Sequence, residues 1–173
     1  TMLRVAIGQS KMTTRPLSAF MHILVYVGFV LINIEVLEML VDGASGNHRT
    51  FGFLGGFYNF LVAFFELLAA GVFLGVVVFW LRRNLGGIAR FKSTDLNGFP
   101  RLDANIILIS EILMMSALML MNAADQNLQD LHYGHYKTAG SFPVSGFIAP
   151  MLKGLSPESL EMIERSAWWF HII

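Results

Sequence analysis

Three long stretches of apolar residues constrain this chain more than any other feature of its sequence. They run from about residue 17 to 41, from 53 to 81 and from 104 to 123, and none holds more than two acidic or basic residues. A helix of about 20 residues crosses the ~30 Å hydrocarbon core of a bilayer. With 55% hydrophobic and 14% charged residues, the chain has more apolar surface than a soluble domain of this size can bury. We therefore predict an all-α integral membrane protein, a bundle of transmembrane helices.

A further span is predicted to begin near the end of the chain. Ser156, Pro157 and Glu158 are typical of a helix start, because serine caps the first turn, proline suits its geometry and an acid favours the positive end of the helix dipole. Residues 157–173 are thus expected to open a fourth span. Residues 124–156 are too polar to span and favour short helices in an interfacial loop. We expect residues 1–173 to form one transmembrane domain, a fragment of a longer protein.

Polar residues indicate where two of these spans begin or end, and small residues indicate where helices can pack closely. Asp42-Gly43 is expected to end the first span, and Asp103 is placed to cap the start of the third. In the second span, Gly71 and Gly75 form a small-xxx-small pair, a spacing that allows another helix to approach closely.

Lysine and arginine are distributed unequally between the two sides that the spans define. Eight lie on one side and four on the other. Because cytoplasmic loops carry an excess of these residues, the side with eight is predicted to be cytoplasmic and the loop at 124–156 extracytoplasmic. The eight are Arg4, Lys11, Arg15, Arg82, Arg83, Arg90, Lys92 and Arg101, and the four are Arg49, Lys137, Lys153 and Arg165.

The overall composition narrows the possible functions. The net charge is zero, so no global field recruits nucleic acid. The chain has no cysteine, so these residues hold no disulfide, no cysteine-ligated iron-sulfur cluster and no thioether-linked haem. A haem held by histidine remains compatible with the composition.

One histidine is expected to lie inside the first span. His22 is about five residues beyond the start of that span, or about 8 Å below the cytoplasmic surface. An ionisable group at that depth needs a partner or a function. A neutral imidazole there can ligate haem iron, with Arg15 nearer the surface to pair with a haem propionate. The alternative is a hydrogen bond to a neighbouring helix.

The other histidines offer weaker candidates. His171 lies at a similar depth from the opposite surface, so its height differs from that of His22 by about 14 Å and the two cannot ligate one iron. His132 and His135, three residues apart, can share a helix face and bind a metal, or can simply lie in a solvated loop.

Four glutamates fall within the three complete predicted spans. Glu66 and Glu111 are each placed near the middle of a span, at matching depth, where they can share a proton, bound a quinone pocket or pair structurally. Glu35 and Glu38, near the outer end of the first span, can collect protons released at the outer surface. Simple solvation at the interface is the alternative for both.

Three segments carry a family resemblance. They are RPLSAFMHILVYVGFVLINIEVLEML, FPRLDANIILISEILMMSALMLMNAADQ and ERSAWWFHII. Together they resemble the membrane portion of bacterial iron-sulfur oxidoreductases related to heterodisulfide reductase, of the type found in Bacteroidetes. That portion is similar in turn to the gamma subunit of respiratory nitrate reductase, a five-helix cytochrome b.

The resemblance implies specific roles. His22 would be the inner-haem ligand, with its partner on the continuation of the fourth span, and His171 would match an outer-haem ligand. The gamma subunit has a second histidine about three turns after the first, where this chain has Ile32 or its neighbours. A single haem b at the inner level is therefore expected. Cysteine-rich parts carrying 4Fe-4S clusters would lie on the cytoplasmic side, outside this chain.

The combined prediction is a multi-pass protein of the bacterial inner membrane, part of a quinone-linked oxidoreductase. It would exchange electrons between a quinone pool and cytoplasmic iron-sulfur clusters, together with an iron-sulfur domain or subunit and other membrane subunits. Two alternatives stay open at this point. One is a haem-free membrane anchor for a larger complex, and the other is a proton-conducting subunit that uses Glu66 and Glu111.

Overall fold

The computed structural model describes residues 16–85 and 98–172. Every regular element in this part of the chain is helical, which confirms the predicted all-α class. The elements in chain order are α1 (Pro16–Ser45), a 3-10 turn (Thr50–Leu54), α2 (Gly56–Asn84), α3 (Phe99–Asp130), α4 (Ser145–Ile148), a second 3-10 turn (Ala149–Leu152) and α5 (Pro157–Ile172).

Three of these helices are long and apolar enough to cross a membrane. They are Ala19–Ser45 within α1, the whole of α2 and the whole of α3. This matches the three apolar stretches of the sequence. Helix α5 has 16 residues, and Ser156 caps it as predicted, because the Ser156 hydroxyl accepts a hydrogen bond from the backbone N–H of Ser159 at 3.3 Å. Its continuation into a full span stays a prediction.

Two helix ends differ from the expected positions. Helix α1 passes through Asp42-Gly43 to Ser45, because the Asp42 carboxylate accepts backbone hydrogen bonds from the following loop instead of ending the helix. Helix α3 begins at Phe99, directly after Gly98, so Asp103 lies within its early turns and caps nothing.

Helix α3 also continues seven residues past position 123, to Asp130. The added turns are polar in sequence, yet several of their side chains are buried because the loop after α3 folds back over them. Gln129 makes two hydrogen bonds with the backbone of Ala139, both of 3.1 Å. Asn127 donates to the carbonyl of Ala149 at 2.9 Å. The predicted interfacial loop is thus fastened to the outer end of α3.

The helices enclose a cleft. Helix α2 packs against both α1 and α3, and α5 lies along α3. At the outer end α5 also reaches α1, where the Trp168 ring sits directly against Gly43. Helix α5 therefore fills the outer half of the space between α1 and α3. The inner half of that space, below His171, is an open apolar cleft with α2 as its floor.

Small residues let α1 and α2 approach closely. A methyl group on Gly71 would lie 3.1 Å from Leu24, and one on Gly75 would lie 3.2 Å from Val25. Gly28 of α1 faces Val72 of α2 even more tightly. The glycine pair of α2 thus lies at a helix interface, and α1 contributes a third glycine that the spacing rule did not identify.

Replacing Gly28 with leucine is expected to destabilise the bundle by about 1–3 kcal/mol, because overpacking at a tight interface forces the two helices apart. Gly56→Leu is the matched control, since Gly56 has open space around it. The measurement is the unfolding midpoint of each variant in lipid nanodiscs. An equal midpoint for Gly28→Leu and Gly56→Leu would contradict close α1–α2 packing.

Candidate functional site

A buried arginine organises the outer end of the molecule. Arg49 lies in the loop after α1, with a left-handed backbone (φ 54°) and a side chain only 8% exposed. Its guanidinium donates to the Asp125 carboxylate at 2.7 and 3.0 Å and to the Asn122 side-chain oxygen at 3.0 Å. It also donates to the Tyr58 hydroxyl at 3.3 Å. One residue thus connects the first loop with α2 and α3.

The Asp125 carboxylate stabilises the positive charge of Arg49. Burial by itself would lower the pKa of the guanidinium, but the attraction of Asp125 outweighs burial and raises that pKa well above its usual value. Asp125 is almost completely buried, with 3% of its side chain exposed. A buried ion pair whose remaining atoms are hydrogen-bonded avoids the large cost of an isolated charge.

Two carboxylates of α1 position the arginine loop. Asp42 accepts hydrogen bonds from the backbone N–H groups of Arg49 (3.0 Å) and Thr50 (2.9 Å). Glu38 accepts one from the backbone N–H of Phe51 at 3.0 Å and one from the Tyr58 hydroxyl at 2.8 Å. The loop conformation is therefore set by side chains of the preceding helix.

Glu66 has a comparable positioning contact on the other side of α3. Its carboxylate accepts backbone hydrogen bonds from Val144 (2.8 Å) and Ser145 (3.2 Å) and one from the Asn122 side chain at 3.4 Å. Asn122 lies eleven residues beyond Glu111, which is about 16 Å along α3. The expectation that Glu66 and Glu111 lie at matching depth was therefore wrong. The longer outer end of α3 places Glu66 with the outer cluster and leaves Glu111 deeper.

An aromatic and imidazole group extends the cluster to the surface. The His48 Nε2 atom lies 2.8 Å from Asp125 Oδ1, and the His48 ring contacts those of His135 and Tyr136. The Tyr136 hydroxyl donates to Glu164 of α5 at 3.1 Å. Partial desolvation and the nearby Arg165 guanidinium lower the pKa of His135.

Of the two alternatives for the loop histidines, the structure agrees with the solvated loop, since His132 and His135 are both exposed. Residues 131–139 form turns and not a helix, so His132 and His135 share no helix face. His132 has a left-handed backbone (φ 49°), and His135 pairs with His48 instead. Among the residues the structure describes, no group of three or more His, Cys, Asp or Glu side chains is arranged to hold a metal ion.

Glu35 and Glu38 are not solvated at the interface. They are 4% and 5% exposed, because α1 continues ten residues beyond Glu35 and the arginine loop covers this face. Both line a cavity of about 40 Å³ between α1, α3 and α5. The Glu38 carboxylate accepts hydrogen bonds from the Tyr58 hydroxyl and from the loop backbone. Neither carboxylate oxygen of Glu35 makes a hydrogen bond of good geometry with a described residue.

The inner cleft is the second candidate site. The His22 ring stacks on Phe79 with ring centroids 4.4 Å apart, and it makes no hydrogen bond with the described residues. The ring faces an open cleft of about 490 Å³ whose walls are mostly aliphatic and aromatic. A connected opening of about 340 Å³ is lined by His22 together with Arg82 and Arg83. Arg15, the residue expected to pair with a propionate, lies outside the described residues.

His171 and Glu111 line the upper part of the same cleft. A cavity of about 140 Å³ holds both, with Ile32 on the wall from α1. Glu111 and Phe29 border this cavity and the His22 cleft alike, so Glu111 lies between the two histidines. Both ring nitrogens of His171 are buried without a hydrogen-bond partner among the described residues. Among the described residues, His22 and His171 line different parts of this cleft, and their difference in height stays a prediction.

The sequence reasoning missed the central residues of the outer cluster. Arg49 was counted only as a loop charge, and Asp125, Tyr58 and Asn122 were not considered. A signal was present, since an aspartate one turn beyond an apolar span needs a cation if it is buried. Nothing in the spacing indicated that the cation would come from a loop 76 residues earlier.

Replacing Arg49 with methionine is expected to lower the free energy of unfolding by about 3–5 kcal/mol, because Asp125 would be left as a buried, unpaired charge. The double variant Arg49→Met/Asp125→Leu should lose less than Arg49→Met alone. Arg101→Met, at an exposed position of α3, is the control and should change the value by less than about 0.5 kcal/mol. Denaturant titration of tryptophan fluorescence measures all three. A loss in the double variant equal to or larger than that of Arg49→Met alone would contradict direct coupling.

No family model matches the chain, and no solved structure matches it. Over 167 residues, 96% of the chain, it is 25% identical to a Bacillus subtilis (strain 168) protein named probable iron-sulfur-binding oxidoreductase FadF. The match covers 22% of that protein, so the chain spans less than a quarter of this relative's length. The predicted similarity to iron-sulfur oxidoreductases is confirmed in this coarse form, while the likeness to the nitrate reductase gamma subunit stays a prediction.

Proposed function

We propose that this chain is the membrane portion of an iron-sulfur oxidoreductase, and that a b-type haem on His22 carries electrons through it. Electrons would pass between a quinone in the membrane and iron-sulfur clusters on the cytoplasmic side, in parts of the protein beyond this chain or in a partner subunit. The protein would lie in a bacterial inner membrane and contact other membrane subunits. The observation that carries the proposal is the His22 ring facing a large open apolar cleft.

The relative supports the redox class. Its printed name describes a probable iron-sulfur-binding oxidoreductase, and this chain matches less than a quarter of it. The chain itself has no cysteine, so cysteine-ligated clusters would have to lie elsewhere. Three helices able to span a membrane make this segment suitable as the membrane part of such a protein.

The residues of the inner cleft fit a haem. The His22 imidazole is free of hydrogen bonds to described residues and can act as an axial ligand. The cleft walls supply apolar contacts from residues such as Phe79, Ile107 and Leu108. Arg82, at the opening, is placed on the predicted cytoplasmic side, where it can pair with a propionate. When bound, the haem would supply one-electron transfer at a potential set by its ligands and surroundings.

One ligand is not provided by the described residues. His171 lines the upper part of the cleft with Glu111, while His22 lines its lower part. Helix α5 fills the outer half of the cleft and points toward the inner half. As the family resemblance implies, a second residue holding the haem would come from the continuation of α5.

Glu111 is the acidic residue best placed to serve a quinone in the cleft. It borders both the His22 cleft and the His171 cavity, and it makes no hydrogen bond to another described side chain. Quinone reduction takes up protons as well as electrons, so a carboxylate at the cleft can relay them. Glu66 is less suited to this role because its carboxylate already accepts three hydrogen bonds.

Replacing His22 with alanine is expected to abolish the reduced-minus-oxidised α-band of the purified full-length protein, because the axial ligand is lost. His132→Asn is the control, since His132 lies in an exposed turn at the opposite end and asparagine tolerates its left-handed backbone. A protein that purifies without haem, or a His22→Ala variant with an unchanged spectrum, would overturn the assignment and favour a haem-free anchor.

Replacing Glu111 with glutamine is expected to lower the rate of quinone-coupled turnover about 10²-fold or more, because general acid–base groups contribute on that order. The haem spectrum and the affinity for haem should not change. Steady-state turnover with a soluble quinone analogue, followed alongside the spectrum, makes the measurement. Ser110→Ala, an exposed neighbour on the same helix, is the control. Full activity in Glu111→Gln would leave that residue structural.

A further inference from the structure

The cavity at the outer end of the molecule has a composition that packing alone does not explain. Its volume is about 40 Å³, enough for roughly two or three water molecules. Most of its lining side chains are polar or charged. Glu35 lines it, is 4% exposed, and has no hydrogen bond of good geometry to a described residue on either oxygen. We call this space the outer cavity.

The outer cavity connects Glu35 with the surface. Asn47, His135 and Arg165 line it and are exposed, so the same space is bordered by a buried acid at one end and by solvated side chains at the other. His48 also lines this cavity, with 10% of its side chain exposed. A chain of water molecules in this cavity would join the Glu35 carboxyl group to the aqueous phase.

Charged and titratable groups face Glu35 from every element around it. Helix α1 contributes Glu38 and Asp42, the first loop His48 and Arg49, α2 Glu66, α3 Asp125, the second loop His135, and α5 Glu164 and Arg165. Acids outnumber the permanent cations in this set. Because Arg49 is already paired with Asp125, full ionisation would leave several negative charges close together in a buried space, which is costly.

Glu35 differs from the other acids in what it holds in place. Glu38, Glu66 and Asp125 each accept hydrogen bonds that fasten a loop or another helix. Protonating any of them would weaken such a contact. Neither carboxylate oxygen of Glu35 accepts a hydrogen bond of good geometry from a described residue. Glu35 can therefore gain or lose a proton without breaking a contact between helices or loops.

We propose that the outer cavity is a proton-transfer site in which Glu35 binds one proton and exchanges it with the outer aqueous phase. In the forward step the Glu35 O–H bond breaks, the proton passes to cavity water, and the carboxylate remains. Water then carries the proton past His48 and His135 to bulk solvent. No electron moves, and no other bond changes. This proposal does not depend on a haem at His22.

The test uses full-length protein in lipid nanodiscs and infrared spectroscopy. A protonated carboxylic acid has its own carbonyl stretching band, and that band shifts when the proton is replaced by deuterium. The wild-type protein is expected to show such a band from Glu35, and transfer to D₂O should shift it within seconds of mixing. Glu35→Gln should remove this band without changing haem content, whatever that content is.

Two further variants make the test decisive. Asp130→Asn removes an exposed acid at the same end of the molecule and should leave the band unchanged. Glu35→Asp keeps a titratable group and should move the band without removing it, so the assignment can be made even if the glutamine variant does not fold.

Three results would overturn the proposal. The first is an identical carboxylic-acid spectrum in wild type and Glu35→Gln. The second is a Glu35 band that does not exchange in D₂O over hours, which would mean that the cavity is sealed from solvent. The third is a band that responds to sodium chloride at constant pH, with potassium chloride as comparison, which would indicate a cation site instead.

Discussion

The ion pair between Arg49 and Asp125 is the interaction on which the outer half of this molecule depends. It joins a loop after the first helix to a residue of the third helix, 76 positions later, in a region with almost no solvent. A buried pair of this kind stabilises only when its remaining hydrogen-bonding capacity is met. Here Asn122, Tyr58 and His48 meet it. The loop therefore acts as a structural element that closes the bundle at one end.

This arrangement divides the molecule into two halves with different physical character. The outer half is rich in hydrogen bonds and contains a small polar cavity that could hold water. The inner half is apolar, with an open cleft between α1 and α3 that contains His22 and Glu111. The polar lining of the outer cavity suits water, whereas the inner cleft offers mostly aliphatic and aromatic side chains to whatever occupies it.

Several features could be predicted from the sequence because they depend on local pattern. The three spans follow from run length, and the cap at Ser156 follows from a short motif. The close approach at Gly71 and Gly75 follows from their spacing. The failures concern polar residues, whose surroundings local pattern does not specify. Solvation was one of two alternatives for Glu35, but this residue is buried, since burial there depends on a loop that folds back from elsewhere in the chain.

The sequence by itself determined that this chain forms long helices suited to a membrane, because twenty or more consecutive apolar residues leave the backbone no other way to satisfy its hydrogen bonds in lipid. It also determined which polar groups would need partners there. Only the tertiary structure decided which partners they find. How far each helix extends, and how the helices are offset, sets the depth of Glu66 and the partner of Arg49. The same offsets leave the His22 ring facing an open cleft. Those quantities arise from contacts between residues far apart in the chain, which local periodicity does not encode.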